Sequence, residues 1–171
     1  GGGTLKGDRQ LHLGTTGEWG HCLVVRNSNN IVIENLKIED AWGDGLTISS
    51  GNPNNITVRN CVFDNNRRQG ITILSGTNIW VTDNIIKNTN GTEPEAGIDI
   101  EPNEGDHCKN IYIKNNIIEN NTRRGIEMSV RTSLADASVS NVYIEGNRIV
   151  GSTNGIRADR VSDITITNNA I

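Results

Sequence analysis

Apolar and polar residues alternate along this chain in short runs, and the runs recur. One eight-residue pattern appears six times: Ile31 to Ile38, Ile56 to Phe63, Ile79 to Ile86, Ile111 to Ile118, Val142 to Ile149 and Ile164 to Ile171. Successive starts lie 25, 23, 32, 31 and 22 residues apart, which reads as one solenoid turn per repeat. A second mark runs in phase with it. Gly45, Gly70, Gly97, Gly125 and Gly155 each open a short apolar alternation, as in Gly45-Leu46-Thr47-Ile48 and Gly97-Ile98-Asp99-Ile100. Each turn therefore holds at least two short strands of period two, separated by Asn/Gly/Ser turns, and no stretch carries a 3.6-residue period. Strands this short must pair with their equivalents one turn away, at about 4.8 Å, burying a continuous Ile/Val column. The pattern predicts an all-β, right-handed, single-stranded parallel β-helix of about six coils, as one domain over residues 1–171.

Asparagine recurs at a fixed place. Positions five and six of the block read Asn35-Leu36, Asn60-Cys61, Asp83-Asn84, Asn115-Asn116, Gly146-Asn147 and Asn168-Asn169. Asn tolerates left-handed backbone and bonds to its own stacked copy, so these residues are read as bend formers rather than ligands.

Composition narrows the picture. Hydrophobic residues make up 34% of the chain, with 19 Gly and one Phe, which suits a narrow repetitive core better than broad layers. A formal charge of -4 argues against nucleic acid as a partner, because a phosphate-binding surface needs a basic stripe. The lack of any apolar run of about 18 residues argues against membrane insertion. Cys22, Cys61 and Cys108 match no zinc spacing and are expected to be free thiols, with Cys61 in the core. The chain opens on Gly1-Gly2-Gly3 and stops at Ile171 inside a sixth block without a capping helix, so a fragment of a longer chain or a member of an oligomer is expected.

Alternation also assigns faces. After each glycine the apolar side chains turn inward, leaving an outward column of Val24, Thr47, Thr72, Asp99, Glu127 and Arg157. Beside it runs Arg26, Ser49, Leu74, Glu101, Ser129 and Asp159. The middle of this face is acidic. Residues entering it add both signs of charge: Asp40, Trp42 and Asp44, then Arg67, Arg68 and Gln69, then Glu93 and Glu95, then Arg123 and Arg124. Close carboxylates raise one another's pKa and arginines lower it, which is how a proton donor is separated from an ionised base. A solvated face of mixed charge is the plain alternative. Block position two puts Trp80, Tyr112 and Tyr143 in one outward stripe, able to stack sugar rings or, as we prefer, to meet another subunit. His12, His21 and His107 show no base-plus-nucleophile setting, and no Ser/His/Asp arrangement is evident.

The stretch Gly43-Asp44-Gly45-Leu46-Thr47-Ile48-Ser49-Ser50-Gly51, followed one turn later by Gln69-Gly70-Ile71-Thr72-Ile73-Leu74-Ser75-Gly76, resembles the pectin-lyase-like superfamily and the layout of polygalacturonase-type glycoside hydrolases. Asp44 matches an active-site aspartate of that layout, and Gln69 stands where its histidine would be. Gly97-Ile98-Asp99-Ile100-Glu101-Pro102-Asn103-Glu104 is distantly similar to the Asp-Pro-His-Glu signature of alginate epimerases and lyases. Gly17-Glu18-Trp19-Gly20 and Asn66-Arg67-Arg68-Gln69-Gly70 look most like phage tail-spike and appendage proteins that degrade host glycans. That resemblance implies a homotrimer at the virion surface or otherwise outside the cell.

The combined expectation is cleavage of an anionic cell-surface polysaccharide by glycoside hydrolysis, with Asp44, Asp99 and Glu101 as acid and base. Asp40, Trp42, Arg67, Arg68, Gln69, Arg124 and Glu127 would bind the polymer, arginine pairing with its acidic groups in two-pronged fashion. A lyase or epimerase and a noncatalytic glycan-binding spike or adhesin are the alternatives. No cofactor or metal is expected; Ca²⁺ would suit an acidic cluster, but no fixed ligand spacing is present.

Overall fold

The computed structural model describes residues 2–171. The chain winds through three parallel sheets of six strands each. The first holds β1 (Gly3–Lys6), β4 (Leu36–Glu39), β7 (Val62–Asp64), β10 (Ile85–Lys87), β13 (Ile117–Glu119) and β16 (Arg148–Val150). The second holds β2 (Leu23–Arg26), β5 (Leu46–Ser49), β8 (Gln69–Ile73), β11 (Ala96–Ile100), β14 (Arg124–Ser129) and β17 (Asn154–Asp159). The third holds β3 (Asn29–Glu34), β6 (Asn54–Arg59), β9 (Gly76–Thr82), β12 (His107–Lys114), β15 (Ser138–Glu145) and β18 (Ser162–Thr167). Every strand pairs with its equivalent one turn away, so the coil count and the stacking expected from the repeat are both present.

The eight-residue block is two strands, not one. Its fifth residue takes a left-handed backbone, with φ between 53 and 57° at Asn35, Asn60, Asp83, Asn115 and Asn168, and 67° at Gly146. That single rotation turns the chain from the third sheet into the first, giving three strands per coil. Asn, Asp and Gly bear such a φ at least cost, which is why they fill the position. The sixth residue points inward and builds a ladder. Asn147 Oδ1 accepts the Asn116 backbone N–H at 2.9 Å, and Asn116 Oδ1 accepts that of Asn84 at 3.0 Å. The Asn116 amide donates back to Val81 O at 2.9 Å, so the buried bend leaves few polar groups unmatched.

Ile and Val fill the interior in columns, among them Ile56–Ile79–Ile111 and Leu46–Ile71–Ile98–Ile126, all fully buried. Cys61 and Cys108 lie in this core, and all three cysteines are free thiols. Outside the third sheet, Trp80, Tyr112 and Tyr143 form the expected stripe, their rings 5.4 and 5.1 Å apart and tilted by only 8 and 6°. In-register side chains one turn apart are forced into this face-to-face stack. The rings therefore cover one another and offer mainly edges outward, which counts against their serving as a run of sugar platforms.

Candidate active site

The outward column of the second sheet is in register through all six turns, from Val24 through Thr47, Thr72, Asp99 and Glu127 to Arg157. Its members are less open to water than alternation implied. Thr72 and Asp99 are each only 1% exposed and Glu127 4%, and Asp44, just before the second strand of the column, is 1% exposed as well. Asp44 is approached by residues 7–22, between β1 and β2, which fold across the first turns. The Arg67 guanidinium holds this segment by donating to Gly17 O at 2.8 Å and Thr15 O at 3.3 Å. Arg9 anchors its start on Asn65 and Asn90.

Beneath the segment, three successive turns meet in one network. Asp44 Oδ2 accepts the hydroxyls of Thr47 at 3.1 Å and Thr72 at 2.8 Å, and Oδ1 pairs with Arg68 at 3.2 Å. Gln69 bridges onward, its amide donating to Asp99 Oδ2. Asp99 Oδ1 is buried without a protein partner. Burial pushes the Asp99 carboxyl well above its ordinary pKa, and the neighbouring Glu101 and Glu127 push the same way. Burial also raises Asp44, against the pull of Arg68 and His21. Glu101 sits at the surface of the network, ion-paired with Arg131 at 2.8 Å. Glu127 lies between Arg124, 3.0 Å away, and Arg157.

These groups line two adjoining hollows. A cleft of about 180 Å³ takes in Trp19, His21, Asp44, Arg68, Glu101 and Arg131. A second, of about 290 Å³, shares Glu101 and Arg131 and adds Arg124, Glu127 and Arg157. Together they make an open groove along the sheet, with arginines and carboxylates alternating on its walls.

Of the residues read from sequence, Asp44, Arg68, Gln69, Asp99 and Glu101 come together, and Arg124 and Glu127 line the adjoining hollow. Three lie elsewhere. Asp40 faces Lys6 at 3.1 Å and Asn65 at 2.7 Å at a corner of the coil; burial opposes its ionisation, but these partners hold its carboxyl below the usual range. Trp42 is covered by the His12 ring and the Arg67 guanidinium, each 3.9 Å from its own. Arg67 is 7% exposed and saturated by the covering segment, so it supports the site without facing the groove. Alternation assigns a face only within strands; Asp40, Trp42 and Arg67 lie between strands, Asp40 held by neighbouring coils and the other two by the covering segment.

The same segment supplies what the repeat left out. His21 Nδ1 lies 3.0 Å from the Asp44 backbone N–H and 3.3 Å from its Oδ2, and burial lowers the imidazole pKa despite the nearby carboxylate. Trp19, Glu18 and Arg131 also lack a repeat signal, since none occupies a stacked position. A larger hollow of about 510 Å³ lies at the edge of the third sheet, where His107 meets Ser138 at 2.9 Å and Asp136 at 3.5 Å. That contact brings together a Ser, a His and an Asp that the sequence did not connect. All three are exposed, and water competes at each contact, so we give them no catalytic role.

A model of the family described as "Right handed beta helix region" matches residues 14–171. The chain belongs to that family. The uncharacterized protein YclG of Bacillus subtilis (strain 168) is 31% identical over 169 residues, spanning 85% of this chain and 28% of its own length. This β-helix thus corresponds to little more than a quarter of that relative. Among solved structures, a double mutant of the periplasmic alginate epimerase AlgG aligns over 88% of this chain and 36% of its own, with a TM-score of 0.68 and 16% identity. A single mutant of AlgG aligns over 87% and 36%, with a TM-score of 0.69 and 17% identity. At that identity the likeness establishes the β-helix alone.

Proposed function

We propose that this β-helix is a carbohydrate-active enzyme that binds an anionic polysaccharide along the second sheet and cleaves it by glycoside hydrolysis. The observation that carries the reading is the cleft in which Asp44 and Glu101 both face a shared space with Arg68 and Arg131 on its walls. Asp44, its pKa raised by burial, suits the general acid that protonates the glycosidic oxygen. Glu101 suits the base that orients water on the opposite side. The two stand two strands apart in the sheet, roughly 9–10 Å along the axis, and are also offset along the strand direction, so water and part of a sugar chain fit between them. Asp99 lies deeper and holds Gln69, whose Oε1 accepts from the same Arg68 guanidinium that pairs with Asp44. Arg68, Arg131 and Arg124 would receive the polymer's acidic groups.

A lyase or epimerase is the second reading, favoured by His21 in the same cleft. Such an enzyme abstracts a proton beside a uronate carboxylate that arginine neutralises. Here His21 Nδ1 accepts the Asp44 N–H, which leaves the proton of the neutral ring on Nε2. A ring so protonated donates rather than abstracts, and hydrolysis is therefore preferred. The reading extends to a place outside the cytoplasm, at the cell exterior or on a virion, and to a homotrimer joined along the open edges of the aromatic stripe.

The test is digestion of a panel of acidic and neutral polysaccharides with mass spectrometry of the products. Hydrolysis adds the mass of water and a new reducing end, and Asp44→Asn and Glu101→Gln should each lower the rate by about a hundredfold or more. Unsaturated products absorbing in the ultraviolet would instead establish the lyase, and binding without any product a noncatalytic glycan-binding protein.

A further inference from the structure

Residues 17–20 read Gly-Glu-Trp-Gly, and both glycines take a positive φ, 99° at Gly17 and 97° at Gly20. The two rotations lift Glu18 and Trp19 out of the covering segment, and the lifted pair is held at both ends. Gly17 O accepts the Arg67 guanidinium at 2.8 Å, and Gly20 O accepts the Gly43 N–H at 3.1 Å. Glu18 pairs with Arg68 at 3.4 Å, tying the lifted pair to the acidic network itself. A Cβ on Gly43 would stand 2.6 Å from Glu18 O, so the segment reaches this depth only because residue 43 is glycine. On this anchored support the Trp19 indole is 74% exposed. It touches the His21 ring edge-on at 6.0 Å and 79°, which leaves at least one broad face uncovered. That side chain belongs to the rim of the cleft that holds Asp44, Arg68 and Glu101.

A tryptophan in water forgoes a large apolar contact, and a loop free to relax would fold the indole down. Here the backbone on either side is fixed by an arginine and a main-chain bond, so the ring is displayed. We propose that Trp19 is a binding platform for a pyranose ring of the polysaccharide, forming a subsite beside the cleaved bond, a reading that rests on the function proposed above. The chemistry fits. The axial C–H face of a pyranose is apolar and matches the indole face, while Arg26 and Arg131 in the same cleft suit a carboxylate on that sugar or its neighbour. The aromatic stripe of the third sheet differs in that its ring faces are already stacked on one another.

The experiment uses the whole chain and a stated panel: oligogalacturonate, oligoalginate, hyaluronan fragments and a neutral glucan. Binding is followed by calorimetry and by acrylamide quenching of tryptophan fluorescence, in which Trp19 is the accessible indole while Trp42 and Trp80 are covered. Expected are protection of the quenched component by the bound oligosaccharide, an affinity about tenfold weaker in Trp19→Ala, and recovery of most of it in Trp19→Phe. On a cleaved substrate the loss should fall on KM more than on kcat. A wild-type chain that binds a glycan equally well after Trp19→Ala would overturn the platform and leave the enzyme reading standing. A chain that binds none of the panel overturns both. Protection that follows protein concentration rather than glycan would assign the indole to a subunit contact and also overturn the platform.

Discussion

Asp99 has one carboxylate oxygen bonded to the Gln69 amide and the other buried without a partner. Its pKa in the fold lies well above that of the unfolded chain, so the folded state holds the proton more tightly. Stability from this group is then fully present below about pH 4 and is lost as pH rises toward the folded value. Asp44 contributes with the same sign, and Asp40, whose pKa is lowered, with the opposite sign. Asp99→Asn keeps an acceptor for Gln69 and removes the charge. It should raise the melting temperature at pH 7 by a few degrees, and the two proteins should converge as the pH approaches 4. Thermal melts across that range decide it, and a variant less stable at pH 7 would show that the carboxylate is ionised and paired. The column holding Asp99 was legible in the sequence because period-two alternation fixes which side a residue takes. Its burial was not, because the long side chains that close over it, Gln69 among them, enter at or before the starts of the strands, where alternation assigns no side.

At the level of the element, the block and its bend carry the fold. Asn116 satisfies the Asn84 N–H, the Val81 carbonyl and Asn147 Oδ1 inside a dry corner. Asn116→Ala strands those groups, and urea unfolding should register a loss of roughly 2–4 kcal/mol. The outer ladder offers a contrast. Asn55 donates to Asn30 Oδ1 at 2.6 Å in full exposure, where water replaces the bond, so Asn30→Gly, which keeps the local φ of 58° accessible, should cost less than about 1 kcal/mol. Equal losses at the two sites would mean that burial does not set the ladder's worth. Sequence located the asparagines but treated positions five and six alike. Backbone geometry divides them, since the left-handed residue turns its own side chain outward and the next one inward.

For the whole molecule, a formal charge of -4 suggests repulsion of a polyanion, yet the groove gathers Arg68, Arg124, Arg131 and Arg157 on one face. Local field rather than net charge governs encounter with a charged polymer. Affinity for an acidic polysaccharide should therefore fall several-fold between 50 and 500 mM salt, an approximate range over which screening shortens to a few ångströms, while a neutral glucan is unaffected. A salt-independent affinity would place the polymer elsewhere than the groove. The arginines reach this face from three different turns and from the stretches between strands, so only the winding of the coil gathers them along one sheet.

By itself the sequence determined the solenoid, its coil count, the inward Ile/Val columns and the outward order from Thr47 through Asp99 to Arg157. Each of these follows from a repeat read at single-residue resolution, and stacking at fixed spacing converts that repeat into neighbours. Tertiary structure alone decided what covers the acidic column, which arginines it neutralises, and that His21 and Trp19 stand at its rim. The contacts of His21 and its neighbours join one irregular segment to residues 23 or more positions away, and no local pattern encodes where such a segment comes to rest.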